Sequence, residues 1–128
     1  MKKISEDIIE SAIKVHKTLG PGLLESVYQN CLAYELDKKS IDVKKEVVLP
    51  IQYESLDFES GFRADLIVND NIIVEIKSVE HIQPVHKAQT LTYLKLTNYP
   101  LGLLINFGET LLKNGLHRFA NGEAANDL

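Results

Sequence analysis

The chain has 128 residues, of which 45% are hydrophobic and 25% are charged, as in ordinary soluble globular domains. This length can bury one core, and the single cysteine excludes an internal disulfide and a thiolate zinc cluster. The apolar runs are far shorter than the roughly 20 residues of a membrane helix, and the acidic N-terminal segment does not resemble a signal peptide. We therefore expect a cytoplasmic protein with no membrane contact.

The net charge is −4, from 14 basic and 18 acidic residues with histidine neutral. An acidic chain lacks the broad positive surface with which proteins coat nucleic acid without sequence preference. Chemistry on nucleic acid is still compatible with this charge, because bound cations reverse the local field around clustered carboxylates.

Two helices are predicted at the start of the chain. Ser5 is the expected N-cap of the first helix, whose apolar residues recur at helical spacing up to Leu19. The turn Gly20-Pro21-Gly22 ends this helix. A second helix is predicted to begin near Leu23 and to carry a broad apolar face that includes Cys31.

The pattern changes to strands from Val43 onward. The predicted strands and the third helix are Val43–Tyr53, Phe62–Val68, Ile72–Lys77, helix Pro84 to about Thr97, Leu101–Phe107 and Leu116–Phe119. This order predicts an α/β fold with a mixed central sheet flanked by helices. We expect one domain over residues 1–120 and a flexible tail over 121–128.

The hairpin around Asn69-Asp70-Asn71 is the most informative segment. If these residues form a three-residue loop, paired positions on the two strands have numbers that sum to 140, so Asp65 lies opposite Glu75 and Arg63 opposite Lys77. Directly opposed Cβ atoms lie about 5 Å apart, and like charges at that distance destabilise a hairpin.

Alternation along the strands separates these charges from a wholly apolar face. That face is predicted to contain Phe62, Ala64, Leu66, Val68, Ile72, Val74 and Ile76. Two converging carboxylates with a lysine one pleat away suit a divalent metal with oxygen ligands. The alternative is a solvated face on which Lys77 and Arg63 neutralise the acids diagonally, and a one-residue bulge would also remove the facing geometry.

At these positions the sequence resembles a known family. Asp65 followed by Glu75-Ile76-Lys77 on the next strand resembles the D…(D/E)xK signature of the PD-(D/E)XK nuclease superfamily, which has a restriction-endonuclease-like α-β-β-β-α-β core. More narrowly, Gly22-Leu-Leu-Glu25-Ser-Val-Tyr28 is similar to the motif that names the GxxExxY family. The resemblance runs from about Ile8 to Phe119.

The resemblance implies a metal-dependent phosphodiesterase that hydrolyses nucleic acid, with DNA as the expected substrate. Mg²⁺ or Mn²⁺ would be held by Asp65, Glu75, the backbone carbonyl of Ile76 and Glu25. Lys77 would orient or deprotonate the attacking water. Taken alone, Glu25 is better explained as a first-turn glutamate that interacts favourably with the helix dipole.

The third helix carries a further pair, Gln89 and Tyr93, at the spacing of the QxxxY motif of RecB-type exonucleases, which it resembles. The resemblance implies that this pair positions substrate, together with Tyr28. Plain packing is the alternative for Tyr93. For His16, near the end of the first helix, approach to the site and stabilisation of the helix C-terminus are both open.

Two other functions remain open at the level of sequence. One is a non-catalytic binding or assembly module that keeps the nuclease fold. The other is a metal-binding domain that acts on a small nucleotide or another phosphoester. Because a minimal nuclease needs a partner or a symmetric copy to hold its substrate, a homodimer or a partner protein is compatible with both the nuclease and the binding-module hypotheses.

Overall fold

A computed structural model of the chain describes residues 2–128 and has the predicted element order. The five-stranded sheet has the order β1-β2-β3-β4-β5, in which β3 and β4 are parallel and the other neighbours antiparallel. The predicted mixed sheet flanked by helices is therefore confirmed. The elements are α1 (Ile4–Leu19), α2 (Glu25–Lys38), β1 (Val43–Tyr53), β2 (Leu56–Val68), β3 (Ile72–Lys77), α3 (Pro84–Thr97), β4 (Leu101–Asn106) and β5 (Leu116–Ala120), with 3-10 helices at Leu112–Gly115 and Glu123–Asp127.

The first helix ends where the sequence predicts but begins earlier. Gly20 adopts a φ of 74°, a conformation that glycine takes readily, and its amide still bonds to the carbonyl of His16. Ser5 does not cap the helix, so that prediction was wrong. Lys3 occupies the N-cap position, and Ser5 is buried in the first turn, where its amide donates to the carbonyl of Leu128.

The hairpin register follows the three-residue loop. Val68 pairs with Ile72, and two further pairs extend the ladder to Leu66 and Val74. Asn69 and Asp70 both have φ of 54°, in the left-handed region that Asn and Asp tolerate better than most residues. The ladder stops there, since β2 leaves β3 and continues beside β1.

The predicted apolar face of β2 is wrong for two residues. Phe62 and Ala64 pack with Ile67 and Ile73 beneath α3, and not with the rest of the predicted face. The neighbouring strand is irregular at the same level, since Glu46 has a φ of 51° and is missing from the pairs of β1 with β2, although the register is the same on both sides of it. The alternation that begins at the hairpin is therefore not maintained beyond Asp65.

The core forms two layers, one on each face of the sheet. The larger layer lies between the sheet and the first two helices, and the smaller lies beneath α3. β3 and β4 are buried along almost their whole length, as expected for a parallel pair that is covered on both faces.

β1 and β2 extend beyond this core as a two-stranded arm. β2 begins at Leu56, six positions before the predicted start, and every residue from Gln52 to Gly61 is exposed. The arm has exposed apolar side chains, among them Tyr53 and Phe58. Periodicity does not predict this segment because neither of its faces is covered by the rest of the described chain.

The C-terminal segment, expected as a flexible tail, contains a 3-10 helix in the structure. Ala125 is fully buried, and its carbonyl accepts a hydrogen bond from the Arg118 guanidinium at 2.7 Å.

No helix within residues 2–128 has both the length and the apolar character needed to cross a membrane.

The two ends of β2 differ in burial, and their contributions to stability should differ accordingly. Leu66→Ala, at a fully buried position, should lower the free energy of unfolding by about 2–5 kcal/mol through lost burial and a cavity. The matched control, Leu56→Ala at a site 56% exposed, should change it by no more than about 0.5 kcal/mol. Urea denaturation followed by circular dichroism measures both, and equal losses would contradict the burial pattern.

Candidate active site

Asp65 lies at the point where β2 separates from β3. The ladder ends at the pair Leu66–Val74, and beyond it the Ile76 amide donates to Oδ2 of Asp65, at 2.8 Å. The Asp65 side chain thus accepts a bond from the neighbouring strand just beyond the end of the ladder. This bond fixes the carboxylate beside β3.

Glu75 is buried next to Asp65. Its side chain is 7% exposed, and its Oε1 has no hydrogen-bond partner within residues 2–128. Burial raises the pKa of Glu75 to about 9, and the neighbouring charge of Asp65 contributes further. Two adjacent carboxylates with one unpartnered buried oxygen are a donor set that fits a divalent cation.

Lys77 ends β3 two residues after Glu75 and therefore lies on the same side of that strand. In the parallel ladder it pairs with Asn106 at the end of β4. Its positive charge opposes the rise in the pKa of Glu75, although this effect is smaller than that of burial. Glu75 and Lys77 therefore lie at the carboxyl end of β3, where Asp65 of β2 bonds to the Ile76 amide between them.

Glu25, the first residue of α2, contacts the backbone directly after Lys77. Its Oε2 accepts a hydrogen bond from the Ser78 amide at 3.3 Å, and the Ser78 hydroxyl donates to the carbonyl of Leu23 at 2.6 Å. No group of three or more His, Cys, Asp or Glu side chains in the described part of the chain is arranged to hold a metal. The metal role of Glu25 therefore stays a prediction.

Tyr28 is fully buried, and its contacts are with the chain itself. Its hydroxyl donates to the carbonyl of Gly20 at 2.6 Å and accepts from the Leu23 amide at 3.0 Å. Its ring stacks on Phe107 with centroids 4.5 Å apart. A buried ring offers no surface to a substrate, so the structure gives no support to the predicted substrate contact. Tyr28 instead holds the turn between α1 and α2.

Gln89 and Tyr93 lie on α3, with Gln89 exposed and Tyr93 partly buried. The Tyr93 ring stacks on Phe62 with centroids 3.9 Å apart. Burial raises the pKa of Tyr93, and the negative charges of Glu75 and Asp65 raise it further. Tyr93 is therefore close enough to feel the charge of the carboxylates, whereas no contact of Gln89 with them is observed within residues 2–128.

Asn106 is a residue of the site region that the sequence reasoning missed. It is fully buried, and its Oδ1 accepts from the amides of Val79 and Gly108, both at 3.0 Å, while its Nδ2 donates to the Val79 carbonyl at 2.9 Å. The sequence did contain a signal for this role, because Asn106 is the one polar residue in the otherwise apolar strand Leu101–Asn106. Nearby, Nε2 of the buried His16 contacts the carbonyl of Glu109 at 2.7 Å.

The raised pKa of Glu75 predicts how stability depends on pH in the absence of divalent ions. Between its ordinary value of 4.5 and about 9, the folded state keeps a proton that the unfolded chain releases, so stability falls as the pH rises. Glu75→Gln should remove up to about 1.4 kcal/mol of this loss per pH unit.

Urea denaturation in EDTA at pH 5, 7 and 9 measures this effect. Wild type and Glu75→Gln should be closest in stability at pH 5 and separate progressively at higher pH. Glu59→Gln, at an exposed position on the arm, is the matched control and should follow the wild type. Parallel curves for wild type and Glu75→Gln would contradict the raised pKa.

Comparison with known proteins identifies the superfamily and the fold. The sequence profile described as the PD-(D/E)XK nuclease superfamily matches residues 2–119. No curated protein sequence matches the chain. The crystal structure of a protein called SSO0001 has the same fold, with a TM-score of 0.52 and 19% sequence identity over 94% of this chain. The chain spans 61% of that protein. Because the superfamily profile covers nearly all of the sequence, the chain belongs to the PD-(D/E)XK nuclease superfamily.

Proposed function

We propose that the protein is a metal-dependent nuclease that hydrolyses phosphodiester bonds in nucleic acid, with DNA as its substrate. The main support is the buried carboxylate of Glu75 beside the partly buried carboxylate of Asp65, with one oxygen of Glu75 that has no partner within residues 2–128. Nucleases of this superfamily generally use divalent metals such as Mg²⁺ or Mn²⁺.

In this proposal the carboxylates of Asp65 and Glu75 and the carbonyl of Ile76 hold the ion, with Glu25 as a further ligand. When bound, Mg²⁺ or Mn²⁺ supplies a positive charge that lowers the pKa of a coordinated water and stabilises charge on the scissile phosphate. Exclusion of solvent from Glu75 strengthens these charge interactions, because they act in a medium of low dielectric constant.

Lys77 orients the attacking water or accepts its proton, and its charge offsets the negative charge that develops on the phosphate. The backbone that follows Lys77 is held by two hydrogen bonds, one from the Ser78 amide to Glu25 and one from the Val79 amide to Asn106. From the other side, Gln89 and Tyr93 position the substrate. This role is supported by the effect of the Asp65 and Glu75 charges on the pKa of Tyr93, which indicates that the tyrosine lies near both carboxylates.

Two narrower proposals concern the family and the partners. The residues Gly22, Glu25 and Tyr28 support membership of the GxxExxY family. In this proposal Tyr28 holds the turn between α1 and α2 through Gly20, and Glu25 connects the start of α2 to Ser78. The net charge of −4 supports the use of additional surface to hold nucleic acid, supplied by a second copy of the chain or by a partner protein.

A non-catalytic binding module with the nuclease fold is the second candidate function. The observation that favours it is that residues 2–128 contain no group of three metal-ligating side chains. Metal binding distinguishes the two functions more sharply than an activity assay, because an assay on the wrong substrate gives a negative result for an active enzyme.

Titration with Mn²⁺ in a calorimeter should show saturable binding by the wild type. Asp65→Asn should weaken this binding at least about tenfold, because it removes one of the two adjacent negative charges. Asp70→Asn is the matched control, since Asp70 lies in the exposed hairpin loop and pairs with Lys44. No binding by the wild type would favour the non-catalytic module.

Lys77→Ala should reduce cleavage at least about a hundredfold while leaving the fold and Mn²⁺ binding intact, since the lysine acts on the water and the phosphate. Cleavage of single-stranded and duplex DNA and of RNA is measured by gel electrophoresis with Mg²⁺ or Mn²⁺. Lys45→Ala, on the exposed part of β1, is the control. Full activity of Lys77→Ala would overturn the assigned role of this lysine.

A further inference from the structure

The arm formed by β1 and β2 carries an apolar face that is uncovered in a single chain. In the ladder between the two strands, Tyr53 pairs with Leu56 and Ile51 pairs with Phe58. Opposed residues point to the same face of a ribbon, and so do residues two positions apart on one strand, so these four side chains share a face. Tyr53 is 64% exposed and Phe58 is 49% exposed. A contiguous exposed apolar surface of this kind is typical of a protein-binding site.

The arm is also acidic. From Gln52 to Gly61 it contains Glu54, Asp57 and Glu59 and no lysine, arginine or histidine, which gives this segment a charge of −3. Within residues 2–128 none of the three carboxylates forms an ion pair. A phosphate backbone would be repelled by this charge. The arm therefore fits a protein surface that is apolar and positively charged.

The outer face of α3 is such a surface. The helix contains no acidic residue, and its two lysines, Lys87 and Lys95, are exposed and form no ion pair in the described part of the chain. Val85 is 67% exposed and Leu96 is 42% exposed. With 3.6 residues per turn these two lie within about 20° of each other around the helix, and both lysines and the exposed Leu91 lie to one side of them.

The edge of β1 is less suited to association than the face of the arm. β1 is the outermost strand of the sheet, but Pro50 has no amide to donate and Glu46 adopts a φ of 51°, and both features hinder the addition of another strand. Packing of two arms face to face would bring together two segments that each carry a charge of −3, which is unfavourable.

Neither surface is large enough by itself for a stable interface. The arm has ten exposed residues, from Gln52 to Gly61, whereas a standard protein interface has roughly 20–30 residues on each side. If two copies of the chain exchange arms about a two-fold axis, each copy contributes both its arm and its α3, and the same contact is made twice. This closed arrangement covers both surfaces on both copies.

We propose that a second copy of this chain binds here, with the apolar face of its arm on the outer face of α3, and that the exchange is reciprocal. The inference rests on one part of the proposed function, the use of a second copy to provide surface, and it names the contact. Gln89 lies on α3 about 40° from Val85 around the helix. The arm of the second copy would therefore border the substrate side of the proposed active site.

Sedimentation velocity of the full chain without nucleic acid measures this association. The wild type should be a dimer at about 50 µM and a monomer well below about 1 µM, as for an interface of micromolar affinity. Tyr53→Ser combined with Phe58→Ser should weaken association at least about tenfold, and so should Val85→Ser combined with Leu96→Ser, because each pair removes half of the apolar contact. Tyr34→Ser on α2, where the side chain is 63% exposed, is the matched control and should leave association unchanged. Circular dichroism checks that every variant is folded.

Charge reversal tests which two surfaces meet. Glu54→Lys with Asp57→Lys makes the arm repel α3, and Lys87→Glu with Lys95→Glu makes α3 repel the arm, so each double variant alone should be monomeric where the wild type is dimeric. An equimolar mixture of the two double variants should form a heterodimer, because both of its contacts then join opposite charges.

The outcomes separate this inference from the nuclease proposal. A wild type that stays monomeric at about 50 µM would overturn the inference and leave a partner protein as the source of additional surface. Loss of the dimer in the arm variants but not in the α3 variants would assign the contact to two arms and also overturn it. A mixture of the charge variants that stays monomeric would contradict the reciprocal exchange. The nuclease proposal fails on a different result, the absence of Mn²⁺ binding.

Discussion

The burial of the Glu75 carboxylate beside a second carboxylate, that of Asp65, is the constraint on which the rest of this structure depends. Glu75 lies in the interior beside Asp65, and such a pair is destabilising unless a proton or a cation is shared between its members. The hairpin accommodates the pair at the point where its strands separate, because the amide of Ile76 donates to Asp65. A hairpin optimised for stability alone would place opposite charges or apolar residues there.

The backbone around the carboxylates is held mainly by side chains that do no chemistry themselves. Asn106 fixes Val79 through two hydrogen bonds, and Ser78 is joined to Leu23 and Glu25. The strand end that carries the lysine is therefore attached to β4 on one side and to the start of α2 on the other. Precise placement of a reactive group requires such support, since small displacements reduce its effect greatly.

The sequence predicted the register of the three pairs nearest the loop, because this pairing follows from loop length and strand alternation, which are local properties. The predicted pairs Asp65–Glu75 and Arg63–Lys77 lie beyond the end of that ladder. The predicted face was wrong for Phe62 and Ala64, which pack beneath α3 through a change of face that no local pattern in β2 indicates. Tyr28 was expected at the substrate because of the family resemblance, whereas in the structure its buried ring stacks on Phe107, which is distant in sequence. The roles in metal and substrate binding stay predictions until they are measured.

The exposed arm formed by β1 and β2 has a consequence for local motion. Its residues from Gln52 to Gly61 have no cover, so this ribbon should open and close without disturbing the core, and its amides should exchange with solvent deuterium early. The amides of β3 and β4 are enclosed on both faces and should exchange only when the whole domain unfolds. Asp65 thus lies at the boundary between the least and the most protected parts of one continuous sheet, where a ligand bound to it would slow the opening of β2.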